Sequence, residues 1–317
     1  MIDRPKRFEE FLGQESVKRV LQVAVESAKR RGEPLDHVLF YGPPGTGKTT
    51  LSFIIANEMG ADIKVVSAPT IERKGDLLGL LTTLNEGDVL FIDEIHRLNR
   101  AVEETLYSAM EDFRVDIVTG GRATAVTIEV PKFTLVGATT RLNLLTPPLR
   151  SRFGIVCRLE LYSKEEMLQI ARSASKRLGI TLDGGALKLV SGCGRGTPRI
   201  LLQILKRVRD YAVVHSWDVV DEEKARKVLE ELGIDSYGLD RLDRELLKVI
   251  AEKFKGGPVG LNTLATVLKE DVDTIEEVHE PYLIEMGFLI RTPRGRRITE
   301  KGLEAIGMAL QPSLFRD

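Results

Sequence analysis

The stretch from Gly42 to Thr49, GPPGTGKT, fits the phosphate-loop pattern G-x-x-x-x-G-K-[ST] at every position. Glycines let main-chain N–H groups approach phosphates closely, and the start of the following helix adds partial positive charge. Lys48 would reach the β- and γ-phosphates, and the Thr49 hydroxyl would ligate Mg²⁺. The sequence therefore predicts a nucleoside triphosphate site, lined by Gly42, Pro43, Pro44, Gly45, Thr46, Gly47, Lys48, Thr49 and Thr50.

The residues on either side of this loop give it the context that the pattern requires. The apolar run 38–41 precedes the loop and predicts a buried strand. Behind the loop, Leu51, Ile54 and Ile55 recur at helical spacing. An ordinary glycine-rich turn between a strand and a helix is the alternative interpretation. A chance match in this context is rare, so we favour the nucleotide site.

Two carboxylates follow another apolar run, 89–92, which predicts a further strand. Because parallel strands end at the same edge of a sheet, we expect Asp93 to lie near Thr49 and to hold the hydration shell of Mg²⁺. Glu94 is placed to orient and activate the attacking water, so that catalysis is mostly positioning and electrostatics. Taken alone, an Asp-Glu pair after a strand is more often a helix cap. The phosphate loop favours the nucleotide role.

The order of strand and helix patterns predicts an α/β fold with three domains. Strands alternate with helices through residues 1–160, which indicates a mostly parallel sheet. A β-hairpin pattern at 114–130, with a Gly-Gly turn, interrupts this alternation. Residues 161–236 predict a small all-helical domain. Its helical patterns cover 164–178, 183–192, 197–214 and 221–232. Residues 237–317 predict a winged-helix domain of three helices and a two-stranded ribbon.

The bulk composition limits the class of protein. The chain has 317 residues, of which 43% are hydrophobic and 29% are charged, as in a soluble protein. It has no apolar run of about 18 residues, so no membrane span is predicted. Cys157 and Cys193 have no metal-ligand spacing, and a reducing cytoplasm is the default location. The net charge of −1 neither supports nor opposes nucleic acid as a partner, so any basic surface must be local.

The predicted winged helix presents its positive charge on the ribbon. The second helix of its helix-turn-helix, predicted at about 274–286, instead carries acidic residues that would repel phosphate, namely Glu276, Glu277, Glu280 and Glu285. Four arginines without an acid among them lie on the ribbon, namely Arg291, Arg294, Arg296 and Arg297. We therefore expect the ribbon to contact the DNA backbone without base readout. A solvated turn with incidental arginines is the alternative.

These motifs resemble those of the AAA+ ATPases and, more closely, those of the bacterial RuvB family. The similarity runs in order along essentially the whole chain, through residues 93–99 (DEIHRLN), 137–141 (GATTR), 148–154 (PLRSRFG), 196–199 (GTPR) and 291–296 (RTPRGR). It implies an AAA+ P-loop core, a helical lid and a winged helix. It also implies a ring-forming ATPase that uses Mg²⁺, converts ATP to ADP and drives branch migration of Holliday junctions in recombination and repair.

The resemblance implies roles for further residues of the active site. Thr140 matches the sensor of the γ-phosphate, and a strand-end capping hydroxyl is the alternative. Arg152 matches the arginine finger that enters the neighbouring subunit's site, with Arg150 the second candidate. A finger benefits from the permanent charge and planar fork of donors that arginine has. Arg199 matches the second sensor, which contacts the nucleotide in cis.

The resemblance also implies the adenine pocket and the partners. Tyr162 and Pro198 match the residues that sandwich adenine, and the segment with Arg4 matches another wall. The implied assembly is a homo-hexameric ring on the duplex arms of a four-way junction, with RuvC as a further partner and no membrane. The hairpin 114–130 occupies the position that docks on RuvA, through Ile117 and Val118. Its tip lacks the family's apolar residues, so an ordinary solvent-facing hairpin is the competing interpretation.

Two other functions are consistent with parts of the pattern. Replication initiators also join an AAA+ core to a winged helix, and in such an ATP-dependent DNA-binding switch ATP sets affinity while little work is done. A clamp-loader-like subunit leaves the winged helix unexplained. The inserted hairpin and the run 148–154 favour the motor.

Overall fold

The structure is a computed structural model that describes residues 4–119 and 124–308. These residues form two compact units. The N-terminal unit comprises the described parts of 4–42 and 47–160, and the C-terminal unit comprises 43–46 and 161–308. The phosphate loop thus begins and ends in the N-terminal unit, while its middle four residues belong to the C-terminal unit.

A five-stranded parallel sheet forms the centre of the N-terminal unit. The strands of this unit are β1 (Val38–Tyr41), β2 (Ile63–Ser67), β3 (Val89–Asp93), β4 (Arg114–Thr119), β5 (Thr124–Glu129), β6 (Thr134–Thr139) and β7 (Ile155–Arg158). The sheet order is β2-β3-β6-β1-β7, so that β6 lies between β1 and β3. The predicted parallel sheet is confirmed. Every residue of β6 is buried, as expected for a central strand that is covered on both faces.

Alternate residues of the strands supply two hydrophobic cores, one on each face of the sheet. The helices of this unit are α1 (Glu15–Arg31), α2 (Lys48–Met59), α3 (Lys74–Leu81), α4 (Arg100–Asp112) and α5 (Pro147–Arg150). Leu39 belongs to the core that contains Leu77 of α3 and Leu106 of α4. Its neighbour Phe40 belongs to the other core, with Leu51 of α2. The two-residue period of a strand is the reason that adjacent residues enter different cores.

The predicted hairpin is present as the antiparallel pair β4–β5. Its register sets Ile117 opposite Val126 and Val118 opposite Ala125. The predicted tip, residues 120–123, lies outside the described residues.

The C-terminal unit begins with four helices and ends with a winged helix, as predicted. Its helices are α6 (Lys164–Leu178), α7 (Gly184–Gly192), α8 (Pro198–Val214), α9 (Glu222–Glu231), α10 (Arg241–Lys248), α11 (Leu261–Leu268), α12 (Val272–Thr274), α13 (Glu280–Glu285) and α14 (Glu300–Ala305). The ribbon is β8 (Leu289–Thr292) and β9 (Gly295–Ile298). Apolar residues of α10, α11, α13 and the ribbon share one core. None of the described helices is long and apolar enough to cross a membrane.

Candidate nucleotide site

The first glycine of the phosphate loop is required by sterics. Gly42 has φ +139°, and a Cβ atom there would lie 2.0 Å from the carbonyl oxygen of Leu159. Its N–H donates to the carbonyl of Thr139 at 3.2 Å, which continues the pairing of β1 with β6. Lys48 opens α2 and is buried, and its ammonium donates to the carbonyl of Gly42 at 2.8 Å. Lys48 is therefore held against the first residue of the loop whose bound phosphates it is expected to contact.

The middle of the loop contacts residues of the C-terminal unit, to which it belongs. The hydroxyl of Tyr162 donates to the carbonyl of Thr46 at 2.9 Å, and the side chains of both residues are buried. Thr46 itself donates to the carbonyl of Pro43 at 2.9 Å, so this side chain braces the loop from within. Gly45 has φ +79°, and a Cβ there would come within 3.0 Å of Cβ of Arg199. Two residues with predicted roles, Tyr162 and Arg199, thus lie against the loop.

A mostly apolar cavity of about 200 Å³ lies beside residues 43–45. Arg199 and Ile200 of α8 line it, together with Val278 and Pro281 near the start of α13. Pro198 is the first residue of α8, where a missing N–H costs nothing.

The carboxyl ends of three neighbouring strands bring the predicted catalytic residues to one edge of the sheet. Because β6 pairs with both β1 and β3 in parallel, their carboxyl ends are adjacent: Gly42 follows β1, Asp93 is the last residue of β3 and Thr140 follows β6. Thr49 is the second residue of α2, which starts at the end of the loop. A hydroxyl and a carboxylate are the hard oxygen ligands that Mg²⁺ prefers, so this set of donors fits the metal.

Glu94 has an unusual backbone conformation and an unexpected partner. Its φ is +50°, a left-handed value that is uncommon for a residue with a side chain and concentrates at functional sites. Its N–H donates to Asp93 Oδ1 at 3.0 Å, and its carboxylate accepts from Arg97 Nη1, also at 3.0 Å. Sequence reasoning missed Arg97, although its three-residue spacing from Glu94 was a usable signal.

A second polar contact at this edge involves His96. One of its ring nitrogens, Nδ1, lies 2.9 Å from Oγ1 of Thr139, at the end of β6. The same oxygen accepts from the N–H of Arg141 at 2.9 Å. His96 thus connects the segment after Asp93 to the strand that carries Thr140. Sequence reasoning missed this link.

Arg152 and Arg150 differ sharply in their surroundings. Arg150 is exposed at the end of α5. The Arg152 guanidinium lies 4.5 Å from the centroid of the Tyr107 ring. It donates from Nη1 to the Pro148 carbonyl at 2.7 Å and from Nη2 to Glu111 at 3.1 Å. Arg4, the other predicted arginine of this unit, is exposed and lies 5.0 Å from the centroid of Phe53.

The ribbon arginines fall into two pairs. Arg291 and Arg296 both bond the carboxylate of Glu280, at 2.8–3.0 Å. Arg294 is exposed and Arg297 is partly buried, and neither has an ion-pair partner within the part of the chain that the structure describes. Among the four ribbon arginines, Arg294 and Arg297 are therefore the two whose charge is not paired with an acid of the described residues.

The structure corrects the expectation that Glu280 faces solvent and repels phosphate. Glu280 is only 1% exposed and lies beneath the ribbon arginines. Burial by itself would raise the pKa of this carboxyl, but the hydrogen bonds from Arg291 and Arg296 outweigh that effect and hold the pKa below its usual value. The acid is a structural counter-ion of the ribbon.

A further charged cluster in the C-terminal unit had no sequence signal. Arg195 bonds the carboxylates of Asp240 and Asp243, and His279 Nδ1 lies 2.7 Å from Asp243 Oδ1. Asp243 is completely buried. Although two carboxylates and a histidine resemble a metal site, the Arg195 guanidinium already supplies the cation. The cluster ties the loop before α8 to the winged helix.

The predicted docking residues of the hairpin are described only through their backbone. Ile117 and Val118 belong to β4, and their side chains lie outside what the structure describes. Val126, which is opposite Ile117, is 47% exposed.

Comparison with known proteins accounts for nearly all of the described chain. Three family models match consecutive segments: "Holliday junction DNA helicase RuvB P-loop domain" over 3–159, "RuvB AAA lid domain" over 162–235 and "RuvB C-terminal winged helix domain" over 236–307.

Solved structures agree with these models. The chain is 50% identical to a variant of Thermotoga maritima RuvB, over 98% of this chain and 100% of that one, with a TM-score of 0.92. It is 49% identical to the T. maritima RuvB Holliday junction branch migration motor, over 97% and 99% of the two chains, with a TM-score of 0.90. The FIGL-1 AAA domain, 18% identical over 73% and 85% with a TM-score of 0.56, shares the fold alone. The chain belongs to the RuvB family of AAA+ P-loop ATPases.

Proposed function

We propose that this RuvB-family chain is an ATP-driven motor that moves Holliday junctions by pulling duplex DNA. The observation that carries the proposal is the convergence of Lys48, Asp93 and Glu94 at the carboxyl edge of one parallel sheet. Such an edge is where α/β proteins bind and process nucleotides. The likeness to the T. maritima branch migration motor supplies the substrate class.

In the proposed reaction, water attacks the γ-phosphate of ATP and releases ADP and phosphate. Lys48 and the loop N–H groups bind the phosphates. Thr49 and Asp93 would hold Mg²⁺, Asp93 through water, and the bound metal would neutralise charge on the phosphates. Glu94 orients the attacking water, once its carboxylate leaves Arg97. Thr140 contacts the γ-phosphate.

The remaining site residues are assigned to the nucleotide's other contacts. Arg199 serves in cis as the second sensor, which its position against Gly45 supports. Tyr162, Pro198 and Arg4 border adenine. Arg152 acts in trans as the finger, so each active site is completed by a neighbouring subunit.

The proposed domains are the AAA+ domain (1–160), the lid (161–236) and the winged helix (237–317). We propose a cytoplasmic homo-hexamer that binds the junction arms, docks on RuvA through the hairpin and works with RuvC. Exposed Val126 supports an apolar docking surface on the hairpin. Arg294 and Arg297 contact the DNA backbone, with Arg291 and Arg296 close to it as parts of the ribbon.

The test is ATP turnover and strand exchange on a synthetic four-way junction, with and without RuvA. The motor predicts ATP-dependent junction movement that Lys48→Ala abolishes. A DNA-binding switch of the replication-initiator type predicts ATP-dependent affinity and no movement in either case. The comparisons do not favour that alternative.

A further inference from the structure

We propose that Tyr107 is a positioning residue for Arg152, which holds the guanidinium in the orientation from which it serves a neighbouring subunit. The proposal rests on the role of Arg152 as a finger in trans. Tyr107 lies on α4, more than forty residues before Arg152, and belongs to none of the sequence motifs described above.

Three contacts restrain the Arg152 guanidinium from different directions. The Tyr107 ring supports its face, with 4.5 Å between Cζ and the ring centroid, while Pro148 and Glu111 each accept from one terminal nitrogen. An arginine side chain has many rotamers, and this set of contacts selects one of them. A side chain that is ordered before binding loses less conformational freedom when it contacts phosphate.

Tyr107 is itself locked by a small polar network. Its hydroxyl bonds the carboxylate of Glu103 and lies 2.9 Å from Oγ1 of Thr146, which bonds the same carboxylate. Glu103 is 7% exposed and has no ion-pair partner among the described residues, so these hydroxyls are its bonded side-chain donors. Because a buried carboxylate is costly unless it is hydrogen-bonded, the network strongly favours one tyrosine orientation.

The resting guanidinium is restrained without being saturated. Its Nε–H is buried and meets no acceptor in the part of the chain that the structure describes. Leaving a buried donor unpaired costs free energy, which most protein interiors avoid. The arrangement thus fixes the direction of Arg152 without pairing every donor of its guanidinium. That combination fits a finger better than a structural arginine.

The first test measures steady-state ATP hydrolysis by Tyr107→Leu, which removes the ring's support. We expect kcat to fall roughly 5- to 30-fold, the range that corresponds to the loss of one cation–π contact, while KM for ATP changes less than about twofold. We expect kcat to change more than KM because a finger stabilises charge that develops only in the transition state. Tyr211→Leu, on α8 of the other unit, is the matched control and should leave both constants unchanged.

The second test mixes subunits of two defective variants. Lys48→Ala subunits keep the finger and lack the lysine, whereas Tyr107→Leu subunits keep the lysine and lack the support. The active site of a Tyr107→Leu subunit regains activity when the neighbouring Lys48→Ala subunit supplies an intact Arg152. The ATP hydrolysis of the mixture should therefore exceed the summed activities of the two variants alone. Only a folded variant can gain in this way. If Tyr107→Leu does not fold, Tyr107→Phe, which keeps the ring and loses the hydroxyl, takes its place with a smaller loss of about two- to fivefold.

A parallel mixture of Lys48→Ala with Arg152→Ala separates the two levels of the proposal. If ATP hydrolysis exceeds the sum of the separate variants in that mixture but not in the Tyr107→Leu mixture, the positioning role is overturned and the shared site is still supported. If neither mixture exceeds the sum of its variants, both the shared site and the positioning role are overturned. A Tyr107→Leu defect in KM alone also contradicts positioning.

Discussion

The hydroxyl of Tyr162 donates a 2.9 Å hydrogen bond to the main-chain carbonyl of Thr46, so a residue two positions before α6 is bonded directly to the phosphate loop. Neither residue reveals this contact in the sequence, since 116 positions separate them. The bond gives the hydroxyl of Tyr162 a role of its own, which is separable from the proposed stacking of its ring on adenine.

Substitution of Tyr162 separates these functions. Tyr162→Phe removes one hydrogen bond and keeps the ring, so we expect ATP affinity to fall less than about fivefold, which corresponds to a loss of about 1 kcal/mol. Tyr162→Ala also removes the surface proposed to stack on adenine, and affinity should fall at least about tenfold. Titration with a fluorescent ATP analogue measures both. Equal losses in the two variants would contradict a role of the ring.

Replacement of Lys48 should remove the catalytic function. Lys48→Ala takes away the charge proposed to contact the β- and γ-phosphates, so we expect ATP turnover to fall about 100-fold or more. Lys227→Ala is the control, because Lys227 is exposed on α9 and pairs only with Glu223 and other nearby acids. Unchanged turnover in Lys48→Ala would remove the proposed mechanism.

The arginine finger predicts dominance in mixed assemblies. Arg152→Ala subunits added to wild type should depress ATP hydrolysis below the weighted sum, because each variant subunit disables its neighbour's site. Arg150→Ala, whose side chain is exposed at the end of α5, should give mixtures whose turnover equals the weighted sum of the two proteins' own activities. The measurement is turnover against the fraction of variant. A linear dependence for Arg152→Ala would argue against the shared site, and dominance by Arg150→Ala would reassign the finger.

The two pairs of ribbon arginines should respond differently. Arg294→Ala should weaken DNA binding equally across sequences and lower the slope of log K against log salt by about 1, since one phosphate contact is lost. Arg296→Ala should instead destabilise the winged helix by about 1–3 kcal/mol, because Glu280 keeps only Arg291 as its partner. Binding isotherms at several salt concentrations and urea unfolding measure these effects. A sequence-dependent loss in Arg294→Ala would indicate base readout.

His37 predicts how stability depends on pH. Its Nδ1 accepts from the N–H of Leu135 at 2.9 Å, so Nε2 carries the hydrogen and donates to the Met110 carbonyl at 3.0 Å. Burial lowers the pKa of His37 below the usual 6.5, although Met110 and Asp36 oppose the shift. The unfolded chain therefore binds more protons just below pH 6.5, and stability falls as pH decreases from that value.

Urea unfolding at pH 7.5, 6.5 and 5.5 checks this dependence. We expect the free energy of unfolding to decrease over the lower interval by at most about 1.4 kcal/mol per pH unit from this residue. His37→Gln, which keeps a donor and an acceptor, should reduce that decrease. An identical pH dependence in both proteins would show that His37 does not titrate there.

Much of the fold was predictable because its signals are local. The helix predicted over 164–178 is α6, with Ser163 and Glu166 forming a capping box at its start. Residues 114–119 and 124–129 pair as the predicted hairpin. By contrast, the sheet order was not predictable, since the periodicity of β6 does not say that it inserts between β1 and β3.

By itself, the sequence determined the phosphate loop, the strand that ends in Asp93 and the three-part order of elements. These depend on glycine conformation, apolar period and turn residues, which act over a few positions. Only the tertiary structure decided which charges remain available. It paired Arg291 and Arg296 with the carboxylates of Glu280 and Glu276. It also left Arg294 exposed and set Arg152 against Tyr107. Those outcomes depend on packing between distant segments. The sequence around a charged residue does not show which distant residue will become its partner in the folded protein.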